Sequence, residues 1–135
     1  MEKAFEFLKT NKEVAFATAE DGKPKIRVFQ IMRQEKNILY FVTAPGKEVY
    51  RQLQKNPNIE VLAMRGNISV RIAGQTVFDV DDKTAREIYA ANTVLPRLYR
   101  AYTDLAYFRL PAVSLDYYDL TPDPPLQEHY DYEQK

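Results

Sequence analysis

Near the start of the chain Ala4, Phe5, Phe7 and Leu8 fall on one side of a helical projection, with Glu2, Lys3, Glu6 and Lys9 largely on the other. This predicts a short helix with one buried face. The period then becomes that of strands. Residues 14–19, 25–33 and 38–42 carry β-branched and aromatic side chains between turn residues and predict three strands. Asp21 and Gly22 make the first turn, a dipeptide suited to the positive φ of a two-residue hairpin, and residues 34–37 make the second. Residues 47–54 read as a helix, too long for a tight connection and closed by Asn56 and Pro57, because a proline steers the residue before it out of helical geometry.

Two further strands are predicted at residues 59–64 and 69–78, around a turn at Arg65, Gly66 and Asn67. The acidic run at Asp79, Asp81 and Asp82 predicts the cap of a helix reaching about Ala91. A helical stretch at 95–103 and strands at 107–110 and 114–120 follow. Hairpin-joined strands with helices inserted between runs predict a mainly β fold with α insertions. A six-stranded antiparallel Greek-key or split β-barrel fits better than a doubly wound parallel sheet. The barrel domain is placed at 1–120. Residues 121–135 are Pro-rich and acidic, and are expected to be a disordered tail whose Leu126, Tyr130 and Tyr132 could alternatively lie over a partner subunit.

Length and charge narrow the function. A chain of 135 residues is one domain that buries roughly two-thirds of its unfolded surface. Lys plus Arg and Asp plus Glu each number 19, so a general nucleic-acid or anionic-membrane footprint is not expected. There is no cysteine, hence no disulfide, thiolate nucleophile or cysteine metal site. The first residues mix charged with apolar side chains, unlike a signal peptide or membrane span, and a cytoplasmic location is expected. The only histidine, His129, falls in the tail and is expected to be solvated there, so no histidine chemistry is built into the barrel. Asp79, Asp81 and Asp82 lack the spacing of a calcium loop, and no metal is expected. Ten Tyr and seven Phe are read first as core.

The chemically suggestive segment is residues 41–57, read as a strand running through a Gly46-Lys47 turn into a helix. A helix start offers free N–H groups and the positive end of its dipole. Lys47 adds a cation and Thr43 a hydroxyl, so a phosphate is favoured there. Arg27, on the neighbouring strand, can grip the same group with a bidentate guanidinium. Ala44 and Pro45 stand where the glycine run of a nucleotide-hydrolysing P-loop begins, and nucleotide hydrolysis is not expected.

The order of these features resembles the pyridoxamine 5'-phosphate oxidase-like family of FMN-binding split barrels. The likeness covers most of the chain to about Leu120. It is carried by the Ala-Thr-Ala-Glu-Asp-Gly-Lys-Pro hairpin at 17–24, the segment from Thr43 to Pro57, and Val-Arg-Ile-Ala-Gly at 70–74. The resemblance implies a homodimer with FMN in a groove between subunits, the phosphate on Arg27, Thr43 and Lys47, and the main chain of Val28, Phe29 and Gln30 along the flavin ring. Asn67 and Ser69 would arrive from the other subunit. Ser69 stands where relatives often carry Trp or Gln, and the basic and aromatic C-terminal residues with which the vitamin B6 oxidases hold their substrate are missing. Among the shorter relatives are nitroimidazole-resistance reductases, so a general FMN-dependent oxidoreductase is expected, passing electrons from a reduced nicotinamide to a small organic acceptor. No catalytic side chain is assigned. The alternatives are a flavin, deazaflavin or haem carrier on the same fold and, on aromatic strands alone, a nucleic-acid-binding barrel.

Overall fold

The computed structural model describes residues 2–132. Helix α1 (Glu2–Thr10) leads into β1 (Glu13–Glu20), β2 (Lys23–Gln30), the short β3 (Arg33–Glu35) and β4 (Ile38–Thr43). Helix α2 (Glu48–Lys55) precedes β5 (Asn58–Arg65) and β6 (Ile68–Gln75). After α3 (Asp82–Ala91) and α4 (Val94–Leu98) come the long β7 (Ala106–Asp119) and β8 (Leu126–Asp131). All strand pairs are antiparallel. The order across the curled sheet is β2-β1-β5-β6-β7-β4-β3, with β8 also on β7. Its ends, β2 and β3, are consecutive in the chain, so the barrel is closed by covalent connection and remains split between β2 and β4. The six-stranded split barrel expected from the sequence is this sheet, with β3 and β8 as additions.

Alternation decides which side chains go inward. Along β1, Val14, Phe16 and Thr18 are buried while Ala15, Ala17 and Ala19 face out, and β5 repeats the pattern with Ile59, Val61 and Ala63. Phe16, Phe41 and Phe108 are fully buried and pack with Phe29. Phe16 and Phe29 stack at 4.3 Å between centroids, and Phe41 and Phe108 at 5.7 Å. Each such pair adds about 0.5–1.5 kcal/mol beyond its buried area. A second cluster, Tyr40, Ala85, Ile88, Leu95, Leu105 and Tyr107, seats α3 and α4 on the other face of β4 and β7.

The hairpin at Asp21 (φ 51°) and Gly22 (φ 75°) has the expected backbone. Gly74 is required for a different reason: a Cβ there would lie 2.5 Å from the Pro111 carbonyl oxygen, at the bulge that offsets β6 against β7.

Several expectations are corrected. The strand at 25–33 breaks after Gln30, because Met32 gives its N–H to the Tyr40 carbonyl at 2.9 Å and the residues that follow pair with β4. The second turn begins later than expected, at Lys36 (φ 53°), since Gln34 and Glu35 pair with β4. The strand at 69–78 stops at Gln75, and Val77 makes only an isolated bridge to Arg109. The two strands at 107–110 and 114–120 are one, Pro111 being accommodated beside the bulge. The helical stretch at 95–103 divides into α4 and a 3-10 turn at Tyr102–Asp104.

The disordered tail is corrected over Leu126–Asp131, which lies along β7 beyond the end of β4. Tyr130 and Tyr132 pack on the chain's own core. His129 is not simply solvated: Nδ1 lies 2.7 Å from Asp116 and Nε2 2.9 Å from Asp131. Residues 133–135 of the tail lie outside the described residues.

Candidate functional site

The split leaves two backbone edges facing each other. Ile31 N–H bonds the Lys12 carbonyl at 2.8 Å, so odd residues of β2 point their backbone groups toward β1. Even residues therefore point theirs into the split. Of the three ring-edge residues expected from the resemblance, Val28 and Gln30 present backbone groups without a partner among the described residues, whereas those of Phe29 are directed to Val14. Across the gap, β4 loses β3 as a partner after Tyr40, and the backbone groups of Val42 face the opening, those of Phe41 and Thr43 being turned to β7.

Arg27 points from β2 toward α2, half-buried. Its Nη1 donates to Thr18 Oγ1 at 2.9 Å and to the Phe16 carbonyl at 3.3 Å, and its Nη2 donates to Gln52 Oε1 at 2.7 Å. Every partner is neutral, and Arg27 makes no ion pair among the described residues. Burial pulls its pKa below the ordinary value, opposed by Glu48 at longer range, and the group stays charged. A partly desolvated cation without a directly bonded counter-ion is a strong site for an incoming anion.

The start of α2 lies on the same helix that holds Arg27. Lys47 occupies the cap position and no side chain accepts from the first turn. At α3, by contrast, the Asp81 carboxylate accepts from Thr84 N–H at 2.8 Å. The amides of Glu48 and Val49 are thus left for water or a ligand. Lys47 is exposed, and a Cβ on Gly46 would meet nothing within 4 Å, so the approach is open. Thr43, four residues earlier, is 4% exposed and its hydroxyl has no hydrogen-bond partner among the described residues, an orphan that a phosphate oxygen would satisfy. These features fit a phosphate-bearing ligand.

Asn67 and Ser69 are not brought to this cleft within one chain. Register places Ser69 three strands from Gln30, about 14 Å at ordinary strand spacing. Asn67 is engaged with Thr121 at 3.3 Å. A groove of about 1370 Å³ passes Ala17, Glu60, Ala73 and Val113 and reaches Thr18, a partner of Arg27. Asp79 belongs to neither: it pairs with Arg109 at 2.6 and 2.8 Å, and that contact holds its carboxyl below the usual range.

Thr18 and Gln52 were missed by sequence reasoning, although a signal existed. Gln52 shares the buried face of α2 with Val49 and Leu53, and Thr18 follows Val14 and Phe16 on the inward face of β1. A polar residue at an apolar phase position needs a partner.

The pyridoxamine 5'-phosphate oxidase family matches residues 1–115. No curated protein matches the chain. Among solved structures, a protein related to general stress protein 26, of the pyridoxinephosphate oxidase family, from Clostridium acetobutylicum aligns with a TM-score of 0.79 at 15% identity, over 96% of this chain and 92% of that one. A NimC/NimA family protein from the same organism gives 0.77 at 22% identity, over 98% and 92%. A pyridoxamine 5'-phosphate oxidase-related, FMN binding protein from Nostoc punctiforme gives 0.72 at 17% identity, over 98% and 88%. These likenesses carry the fold and the family match carries the kinship: the chain belongs to the pyridoxamine 5'-phosphate oxidase family.

Proposed function

We propose that the protein is a homodimeric FMN-dependent oxidoreductase that passes electrons from a reduced nicotinamide to a small organic acceptor. The observation that carries this reading is Arg27, a half-buried cation held only by neutral groups beside an uncapped helix start. Arg27, Thr43, Lys47 and the first amides of α2 hold the phosphate, and the open backbone of Val28 and Gln30 borders the ring. A bound flavin would supply the electron-carrying chemistry, which the side chains around the cleft do not. Family membership and the FMN binding of the Nostoc relative favour FMN.

The dimer has its own support. Ile26, Val28 and Met64 are 72%, 71% and 72% exposed, and Leu62 is 43% exposed. Register sets them around Ala15 and Ala17 on one outer face of β2, β1 and β5. A contiguous apolar face of this kind suits a second copy of the chain. Such packing would cover the open side of the cleft and offers the route by which Asn67 and Ser69 of a second subunit reach the ring.

The purified protein should show flavin absorbance or bind added FMN stoichiometrically, and oxidise NADH or NADPH in the presence of an acceptor. A colourless protein that does not bind FMN sinks the reading. A second reading, a flavin carrier without turnover, is favoured by the cleft's complement of Arg, Lys, Thr, Gln and Phe. Steady nicotinamide consumption with a range of acceptors would decide against it.

A further inference from the structure

We propose that Gln52, acting with Thr18, is the positioning residue that presents one chosen edge of Arg27 to the ligand's phosphoryl group, a role that rests on the phosphate-site reading above. The hydrogen bonds allow one arrangement. Arg27 only donates, so the Thr18 oxygen accepts from Nη1. The single Thr18 proton then goes to Gln52 Oε1, 2.7 Å away, and the same oxygen accepts from Arg27 Nη2 at 2.7 Å. A closed ring of three side chains results.

The amide orientation is held from its other end. Gln52 Nε2 donates to Glu48 at 3.2 Å and to Glu20 at 3.5 Å, and Arg51 ties down Glu20. Turning the amide over would point donors at donors and nitrogen away from both carboxylates. Gln52 is 1% exposed, on the buried face of α2 with Val49 and Leu53, so a swing into solvent would break its hydrogen bonds to Thr18 and Arg27.

The ring selects which N–H groups remain. Phe16 and Thr18 engage both protons of Nη1, and Gln52 engages one of Nη2. Arg27 Nε–H and the second Nη2–H have no partner among the described residues. These two lie on the same guanidinium edge and point in parallel, the fork that matches two oxygens of a phosphate. The residue at 52 is also informative in being an amide. A glutamate would orient the guanidinium equally well but neutralise it, whereas glutamine positions the charge and leaves it available.

The test compares Kd for FMN with Kd for riboflavin, which lacks the phosphate, in the full-length wild type and in Gln52→Glu, Gln52→Leu, Thr18→Val, Arg27→Ala and the Arg27→Ala/Gln52→Leu pair. Gln52→Glu and Gln52→Leu should each weaken FMN by about tenfold or more while leaving riboflavin nearly unchanged. In the Arg27→Ala background Gln52→Leu should add nothing. Equal weakening of both ligands, or an undiminished Gln52→Leu effect without Arg27, overturns the proposal in favour of a packing role. Should Gln52→Leu fail to fold by circular dichroism, Gln52→Glu and Thr18→Val carry the same comparison. Wild type that binds FMN no better than riboflavin, or Arg27→Ala without effect on FMN, overturns the phosphate-site reading itself and the proposal with it.

Discussion

Arg27 Nη2 and Gln52 Oε1 meet at 2.7 Å, a cation held by a neutral amide from a helix 25 residues further along the chain. Without its guanidinium the cleft loses its fixed positive charge. Arg27→Ala and Lys47→Ala should each weaken FMN binding by about 1.5–3 kcal/mol, measured by flavin fluorescence quenching. Thr43→Val, which removes only a neutral donor, should cost about 0.5–1.5 kcal/mol. Affinity unchanged in all three would remove the phosphate site.

Val28 and Leu62 flank Ala15 in one cross-strand row on the exposed apolar face. Val28→Glu places a charge there without touching the core, so the chain should stay folded but sediment as a monomer. FMN occupancy should fall in parallel. A variant that remains dimeric with full flavin would move the interface elsewhere.

His129 links β8 to β7 through Asp116 and carries a pH signature. Its bonds to Asp116 and Asp131 raise its pKa above the ordinary 6.5. Protons therefore bind the folded form more tightly, and this stabilisation is full below 6.5 and lost as pH climbs through the raised folded value. Asp116, held low first by His129 and then by Arg71, contributes in the opposite sense, lost only as pH falls through its depressed value. Hydrogen exchange of β8 amides should accelerate, beyond the intrinsic base-catalysed trend, on going from about pH 6 to about pH 9, and His129→Gln should abolish that excess. An excess that persists in the variant would show that the histidine does not fasten the strand.

Gly74 faces the Pro111 carbonyl where a methyl group would lie 2.5 Å from oxygen. Backbone on both strands must shift to admit it. Gly74→Ala should therefore lower the urea midpoint by an amount worth about 1–3 kcal/mol. A midpoint equal to wild type would mean that the bulge relaxes freely.

Features with a local cause were legible along the chain. Asp21-Gly22 adopts positive φ because few other dipeptides tolerate it, Asp81 caps α3 because its carboxylate reaches an amide three residues on, and Asn56-Pro57 ends α2. Arg27, Thr43 and Lys47 were singled out as candidates by their order around a strand-turn-helix. Pro111 misled because proline ordinarily ends a strand, while here a bulge at Val113 in the same strand lets pairing with β6 continue past it. The tail misled because its composition cannot form a core of its own. β8 instead borrows one, packing Tyr130 and Tyr132 onto residues already buried by the barrel.

The amino-acid order alone determined the period of each element, the places where it must turn, and the absence of cysteine and of any histidine other than His129. Those properties depend on neighbours within a few residues. Only the tertiary structure decided that the chain leaves β1 after Ile31 and joins β4 from Met32, that Gln52 and Thr18 close around Arg27, and that one edge of that guanidinium is left free. The physical reason is that hydrogen bonds between residues 9, 25 and 34 positions apart are set by strand register and by the docking of α2 on β1. No local spacing encodes either.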